Sequence, residues 1–130
     1  MLDHVSFPVS DLKRSVGFYR AAFAPLGITP MAEIAKDLSG GYEYDCAGFG
    51  SDGRPYFWIS NGEALKGRLH VCFTAKDRRS VDAFYAAALK AGGRDNGPPG
   101  IRAHYHPDYY GAFVLDPDGH NIEAVCRKPA

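Results

Sequence analysis

An α+β fold built from two βαβββ modules, forming a curved, cup-like mixed sheet with helices outside, is what this sequence predicts. Three observations carry the prediction. The octapeptide HVSFPVSD at residues 4–11 returns as HVCFTAKD at 70–77, with four of the eight positions identical (His, Val, Phe and Asp). Each copy runs into a stretch with helical spacing. Each of those is followed by two strand-like runs joined by a Gly-containing turn. Self-similarity of this extent marks a duplicated structural unit.

The first strand, LDHVSFPV, alternates, with Leu2, His4, Ser6 and Pro8 on one face and Val5, Phe7 and Val9 on the other. Ser10 or Asp11 is placed to cap a helix in which Leu12, Val16, Tyr19 and Phe23 recur at helical spacing, and Pro25 and Gly27 stop it. The second copy follows the same course. LHVCFTA alternates, Asp77 is the cap, RRSVDAFYAAALKA is the helix, and Gly92-Gly93 ends it. With one residue deleted after Asp77, Ser15-Val16 falls on Ser80-Val81 and Gly27 on Gly92.

The remaining strands come in pairs. YEYDCAGFG and PYFWIS flank the turn SDGR, and YGAFVLD and HNIEAVC flank DPDG. Weaker strand signals lie around MAEIAKDL (31–38) and at 100–106, and NGPPG at 96–100 reads as a loop. The whole chain, 1–130, reads as a single domain, with module 1 at about 1–62 and module 2 at about 67–127. If Val5, Phe7, Val71 and Phe73 cover the helices, the alternation sends His4 and His70 to the concave face.

Bulk properties narrow the functional classes. The chain of 130 residues is 45% apolar and 23% charged, which suits a folded domain with its own core. Fifteen basic and fifteen acidic residues cancel, so no electrostatic footprint for nucleic acid or an anionic membrane is expected. Asp3 and His4 stand where a signal peptide needs an apolar run. No stretch approaches the ~18 apolar residues of a membrane-spanning helix. The three cysteines lack CxxC spacing and read as reduced thiols, so the expected location is the cytoplasm.

The paired modules, with DHVSFPVSDLKRSVGFY at the start, LHVCFTA in the middle and AFVLDPDGHNIEAVC at the end, resemble the vicinal oxygen chelate superfamily. That group includes glyoxalase I, extradiol dioxygenases, fosfomycin- and bleomycin-resistance proteins and methylmalonyl-CoA epimerase. The similarity covers essentially the whole chain, and DPDGHNIE is its most specific part. In metal-binding members each module gives one ligand from its first strand and one from its last. The resemblance therefore implies His4, His70 and Glu123 as metal ligands. The fourth position falls on Phe57 or, with a one-residue slip, on Trp58, and neither binds a metal. The sequence thus departs from the four-ligand glyoxalase I pattern. Pairing of modules between chains in such proteins implies a homodimer.

Two imidazoles and one carboxylate on one concave face suit a divalent ion with open positions, Fe, Mn or Zn, to which a substrate with vicinal oxygens can bind. The alternative is a hydrogen-bonded polar cluster in a metal-free cavity that sequesters a small molecule, as bleomycin-resistance members do. A lyase or dioxygenase acting on a small-molecule substrate is the first expectation. In the loop HYHPDYYG, His104, His106 and Tyr110 are the candidate acid/base groups. Tyr105 and Tyr109, together with Ser6, Cys72 and Trp58, are the candidate substrate contacts. The plainer reading of that loop is an aromatic cover over the mouth of the cup.

Overall fold

The computed structural model of the chain describes residues 1–34, 45–63 and 65–130. Its elements follow the order expected from the repeat. Module 1 holds β1 (Val5–Pro8), α1 (Leu12–Phe23), a 3-10 turn (Ala24–Leu26), β2 (Thr29–Ile34), β3 (Cys46–Ser51) and β4 (Arg54–Ser60). Module 2 holds β5 (His70–Thr74), α2 (Arg78–Lys90), β6 (Arg94–Ile101), β7 (Tyr110–Leu115) and β8 (Asn121–Cys126). The strand expected around 31–38 starts earlier, as β2, and its positions 35–38 lie outside the described residues. So do positions 42–44 of the run that leads into β3.

Each module forms one four-stranded mixed sheet, ordered β1-β4-β3-β2 and β5-β8-β7-β6. The first strand of each runs parallel to the last, and the other pairings are antiparallel. The helix between first and second strand makes the parallel pairing possible, since parallel neighbours need a long crossover. The sheets do not close on each other: β1 and β5 are both edge strands.

Local chemistry sets the helix starts. Asp11 caps α1 by accepting from the Arg14 backbone N–H at 3.1 Å, and Asp77 caps α2 by accepting from the Ser80 N–H at 2.8 Å. Ser10, the other candidate cap, instead donates its backbone N–H to Asp118 at 3.1 Å. In α1 the residues Ser15, Phe18, Tyr19, Ala22 and Phe23 are buried, a stripe at helical spacing.

One apolar core runs through both modules. Phe23 meets Phe73 with ring centroids 4.8 Å apart, and Phe57 meets Phe73 at 5.6 Å. The fully buried rings of Phe23 and Phe57 each contribute roughly 1.5–3 kcal/mol by leaving water. A polar tie lies within this core. Tyr19 is fully buried, and its hydroxyl donates to Asp116 at 2.5 Å. Asp116 also accepts from the backbone N–H groups of Asp118 and His120. A helix of module 1 is thereby fastened to the DPDG turn of module 2.

One expectation is corrected. NGPPG is not a loop: it lies inside β6, an edge strand paired only with β7. Its register shifts between Asp95 and Gly97 and again between Gly97 and Gly100, so Pro98 and Pro99 fall at the irregularity. Prolines are tolerated there because an outer edge needs no ladder N–H. The strand expected at 100–106 accordingly ends at Ile101. Among the described residues no helix is long and apolar enough to cross a membrane.

Candidate functional site

The register within each sheet identifies which residues of the two modules are equivalent. Ser6 stands opposite Trp58 on β1 and β4, and Cys72 stands opposite Glu123 on β5 and β8. Because Ser6 and Cys72 are equivalent in the repeat, Trp58 occupies in module 1 the place of Glu123 in module 2. Phe57 is fully buried in the core on the other face. The one-residue slip has a structural cause. Phe49 pairs with Phe57 and Gly50 with Pro55, so Tyr56 is an extra, unpaired residue in β4. That bulge shifts everything after it by one position and turns Trp58 to the face carrying Ser6. On β3, Gly48 faces Trp58, and a Cβ there would lie 2.8 Å from the indole, so glycine is what allows the ring to lie flat across it.

Module 2 brings a different set together. Glu123 is 2% exposed yet carries a carboxylate, and it is satisfied from two sides. The Tyr109 hydroxyl donates to its Oε1, and His70 Nε2 lies 2.8 Å from its Oε2. Burial and the bond to Glu123 push the Tyr109 phenol up, so it keeps its proton and stays a donor. Gly111 makes room for this arrangement, since a Cβ there would lie 3.1 Å from the Tyr109 ring and 3.4 Å from Glu123 Oε1.

His70, Tyr109 and Glu123 line a cavity of about 470 Å³ with His104, Tyr105, Phe113 and Arg127. Tyr105 packs between its neighbours, its ring tilted against His104 with centroids 4.1 Å apart and edge-to-face with Tyr109 at 5.0 Å. The Arg127 guanidinium sits 4.8 Å above the Tyr109 ring.

His4 stands elsewhere. Its Nδ1 is 2.7 Å from Asp3 Oδ1, and Asp3 is in turn paired with Arg54. Together with Tyr56 and Cys72 they line a second cavity of about 460 Å³. Among the described residues no group of three or more His, Cys, Asp or Glu side chains is arranged to hold a metal ion. Of the three expected ligands, one chain therefore brings together His70 and Glu123 and holds His4 apart.

The other expected residues divide as follows. Tyr105, Tyr109 and His104 line the Glu123 cavity. Cys72 is exposed at the rim of the His4 cavity, yet it interacts with Glu123 and Tyr109. Burial of the thiol, then the Glu123 charge, push it up to about 12, so it is no thiolate near neutral pH. Ser6 is exposed on the Trp58 face. His106 is exposed and accepts from the Asp108 N–H through Nδ1. Tyr110 turns away: its hydroxyl donates to Asp82 of α2 at 2.6 Å, and Arg78 lies 5.1 Å over its ring.

Sequence reasoning passed over Asp3, Gly48, Phe113 and Arg127. For Arg127 a signal was present, because it continues the alternation of Glu123 and Val125 one residue beyond the end of β8. For Gly48 none was, since its place depends on the bulge at Tyr56.

The comparisons with known proteins agree with this architecture. FosB, a metallothiol transferase of Shouchella clausii, is 25% identical over 122 residues, which span 94% of this chain and 77% of FosB. The structure of a glyoxalase/bleomycin resistance protein from Albidiferax ferrireducens superposes with a TM-score of 0.75 at 30% identity, covering 98% of each chain. The fosfomycin resistance protein FosX of Listeria monocytogenes, solved with Mn(II) and 1S,2S-dihydroxypropylphosphonic acid, superposes at 0.73, covering 97% of this chain and 91% of FosX. At 20% identity it shares the fold. Residues 1–124 match one family throughout, and the chain belongs to the Glyoxalase/Bleomycin resistance protein/Dioxygenase superfamily.

Proposed function

We propose that the protein is a metal-dependent enzyme of lyase or dioxygenase type acting on a small molecule with vicinal oxygens. Its divalent ion is held by His70 and Glu123 of one copy and His4 of a second copy. The observation that carries this reading is Glu123, a buried carboxylate whose Oε1 is held by Tyr109 while its Oε2 faces His70 Nε2 at 2.8 Å. Ligating carboxylates are oriented in this way by outer hydrogen bonds.

The donor set fits a borderline divalent ion such as Fe, Mn or Zn. His4 supports it from its own side. A proton on Nδ1 shared with Asp3 leaves Nε2 with a free lone pair, the arrangement that carboxylate-paired metal histidines use. Bound there, a divalent ion supplies Lewis acidity to chelated substrate oxygens. The remaining work falls to the chain's own groups. Tyr109 keeps its proton and fixes the Glu123 rotamer. His104 and Tyr105, at the rim of the same cavity, are the groups placed to exchange protons with substrate. Trp58 in the fourth ligand position favours a three-ligand enzyme over a proton shuttle between two metal-bound glutamates.

A metal-free sequestering protein is the second reading, and the direct His70–Glu123 hydrogen bond is the observation in its favour. Metal analysis of untagged protein separates the two. Stoichiometric metal in wild type, lost in both His4→Ala and Glu123→Ala, supports the enzyme, and none in wild type supports the binder. Mixing the two variants tests the shared site: each mixed dimer regains one of its two sites, about a quarter of the wild-type capacity in a statistical 1:1 mixture, if the ligands come from two copies, and none returns if they come from one.

A further inference from the structure

The Glu123 cavity carries two features that metal ligation leaves unused. The first is Arg127. Arg14 and Arg54 are engaged by Asp118 and Asp3, and Arg102 donates to the carbonyl oxygens of Pro98 and Gly100. Arg127 lines the cavity and makes no ion pair or hydrogen bond among the described residues. It lies 4.8 Å over the Tyr109 ring. A guanidinium held in place by stacking keeps its five N–H donors for a ligand, and its fork matches a carboxylate. The second feature is the aromatic wall. Tyr105 meets Tyr109 edge to face and His104 at a tilt while remaining 60% exposed, so packing alone does not account for its place. Phe113, paired in register with Glu123 and with Arg102 5.3 Å over its ring, adds an aromatic side chain to the lining of the same cavity.

We propose that the ligand of this cavity is a planar aromatic carboxylate, its anionic group taken by Arg127 and its ring lying against Tyr105 and Phe113. A cation beside aromatic side chains selects for both halves of such a molecule. A small aliphatic anion satisfies Arg127 but leaves the ring faces wet. A neutral arene covers the rings but leaves the guanidinium without an acceptor. The volume of about 470 Å³ accommodates one or two fused rings. This inference rests on reading the His70–Glu123 pair as the reacting end of the same cavity, so the aromatic acid would present its vicinal oxygens there.

The test is a fluorescence titration of the full chain with 2-naphthoate, with 2-naphthylmethanol, cyclohexanecarboxylate and methylphosphonate as comparison probes. Saturable 2-naphthoate binding is expected, weakened about tenfold or more by Arg127→Gln and less by Arg127→Lys. Tyr105→Ala is expected to weaken it about 2- to 10-fold. The neutral alcohol should bind more weakly and be indifferent to Arg127→Gln. Equal affinity of wild type and Arg127→Gln for 2-naphthoate overturns the inference. So does cyclohexanecarboxylate or methylphosphonate binding as tightly as 2-naphthoate. Arg127 is exposed, so both its variants are expected to fold, and unchanged circular dichroism checks this. Repeating the titration with Mn(II) and with chelator keeps the two readings apart. Mn(II) uptake without 2-naphthoate binding sinks this inference alone. Arg127-dependent 2-naphthoate binding without metal uptake sustains it and sinks the metal reading.

Discussion

Module 1 and module 2 share a strand order, a capped helix and a first-strand histidine, yet they fill one equivalent position in opposite ways. On β3 and β4 the facing pair is Gly48 and Trp58, and on β7 and β8 it is Phe113 and Glu123. In the first pair the bulk belongs to the last strand, and in the second to its neighbour. A duplicated scaffold thus tolerates exchange of a large side chain across a strand pair, because the space above the sheet is filled either way. The exchange leaves only module 2 with an acid on its last strand. His70 consequently meets Glu123, while His4 finds its carboxylate in the adjacent Asp3.

The sharpest way to break the comparison is to substitute the two equivalent residues and measure metal affinity by isothermal titration. Glu123→Gln is expected to lower affinity more than about 100-fold, beyond what loss of an outer-shell partner costs. Trp58→Ala should leave it unchanged within about threefold. If the two variants lose affinity equally, module 1 contributes a ligand environment at that position and the asymmetry argued above is wrong.

The next effect is on the support of Glu123. Tyr109→Phe removes the donor to Oε1 and leaves a buried carboxylate oxygen without its partner. A loss of about 1–3 kcal/mol in denaturant unfolding is expected. A drop of about 10- to 100-fold in metal affinity should accompany it. In module 1 no counterpart exists, since the Trp58 face is supported by the absence of a side chain at Gly48. Gly48→Ala pushes a methyl group into the indole and is expected to cost about 1–3 kcal/mol. Combining it with Trp58→Leu should recover most of that loss. Additive losses in the double variant would mean that the indole is not what glycine accommodates.

How much of this was legible in the sequence depends on distance along the chain. The repeat fixed both modules because four identities, two caps and two turn signals all lie within short windows, where local rules act. The helices and the inward faces of β1, β5 and β8 follow from periods of 3.6 and 2. The choice between Phe57 and Trp58 did not, because it turns on Tyr56 being unpaired, and a bulge shows only once β4 is laid against β3. NGPPG was misread as a loop for a related reason: its prolines forbid a central strand but not an irregular edge. Tyr109 and Tyr110 illustrate a third case. Adjacent in sequence and alike in chemistry, they fall on opposite faces as the chain enters β7. One reaches Glu123 and the other Asp82.

The smallest effect concerns the helices, where the modules differ again. Phe84 of α2 occupies the place that Tyr19 occupies in α1, and both are fully buried. The hydroxyl is present only where an acid waits for it. The turn after β7 carries Asp116, whereas the turn after β3 is the tight pair Asp52-Gly53. Tyr19→Phe should cost about 1 kcal/mol near neutral pH, because Asp116 keeps its two backbone donors. The pH dependence is the more telling readout. Burial, with the nearby Asp116 and Asp118 charges, pushes the Tyr19 phenol well above its usual value near 10. The folded state therefore holds the proton more tightly than the unfolded chain does. Its contribution is complete below pH ~10 and falls as pH rises beyond it. Wild type should lose stability through that alkaline window, and Tyr19→Phe should lose less, so their curves converge. Parallel curves would mean that Tyr19 ionises in the fold as readily as in the open chain, and the tie between α1 and module 2 would then be an ordinary solvated contact.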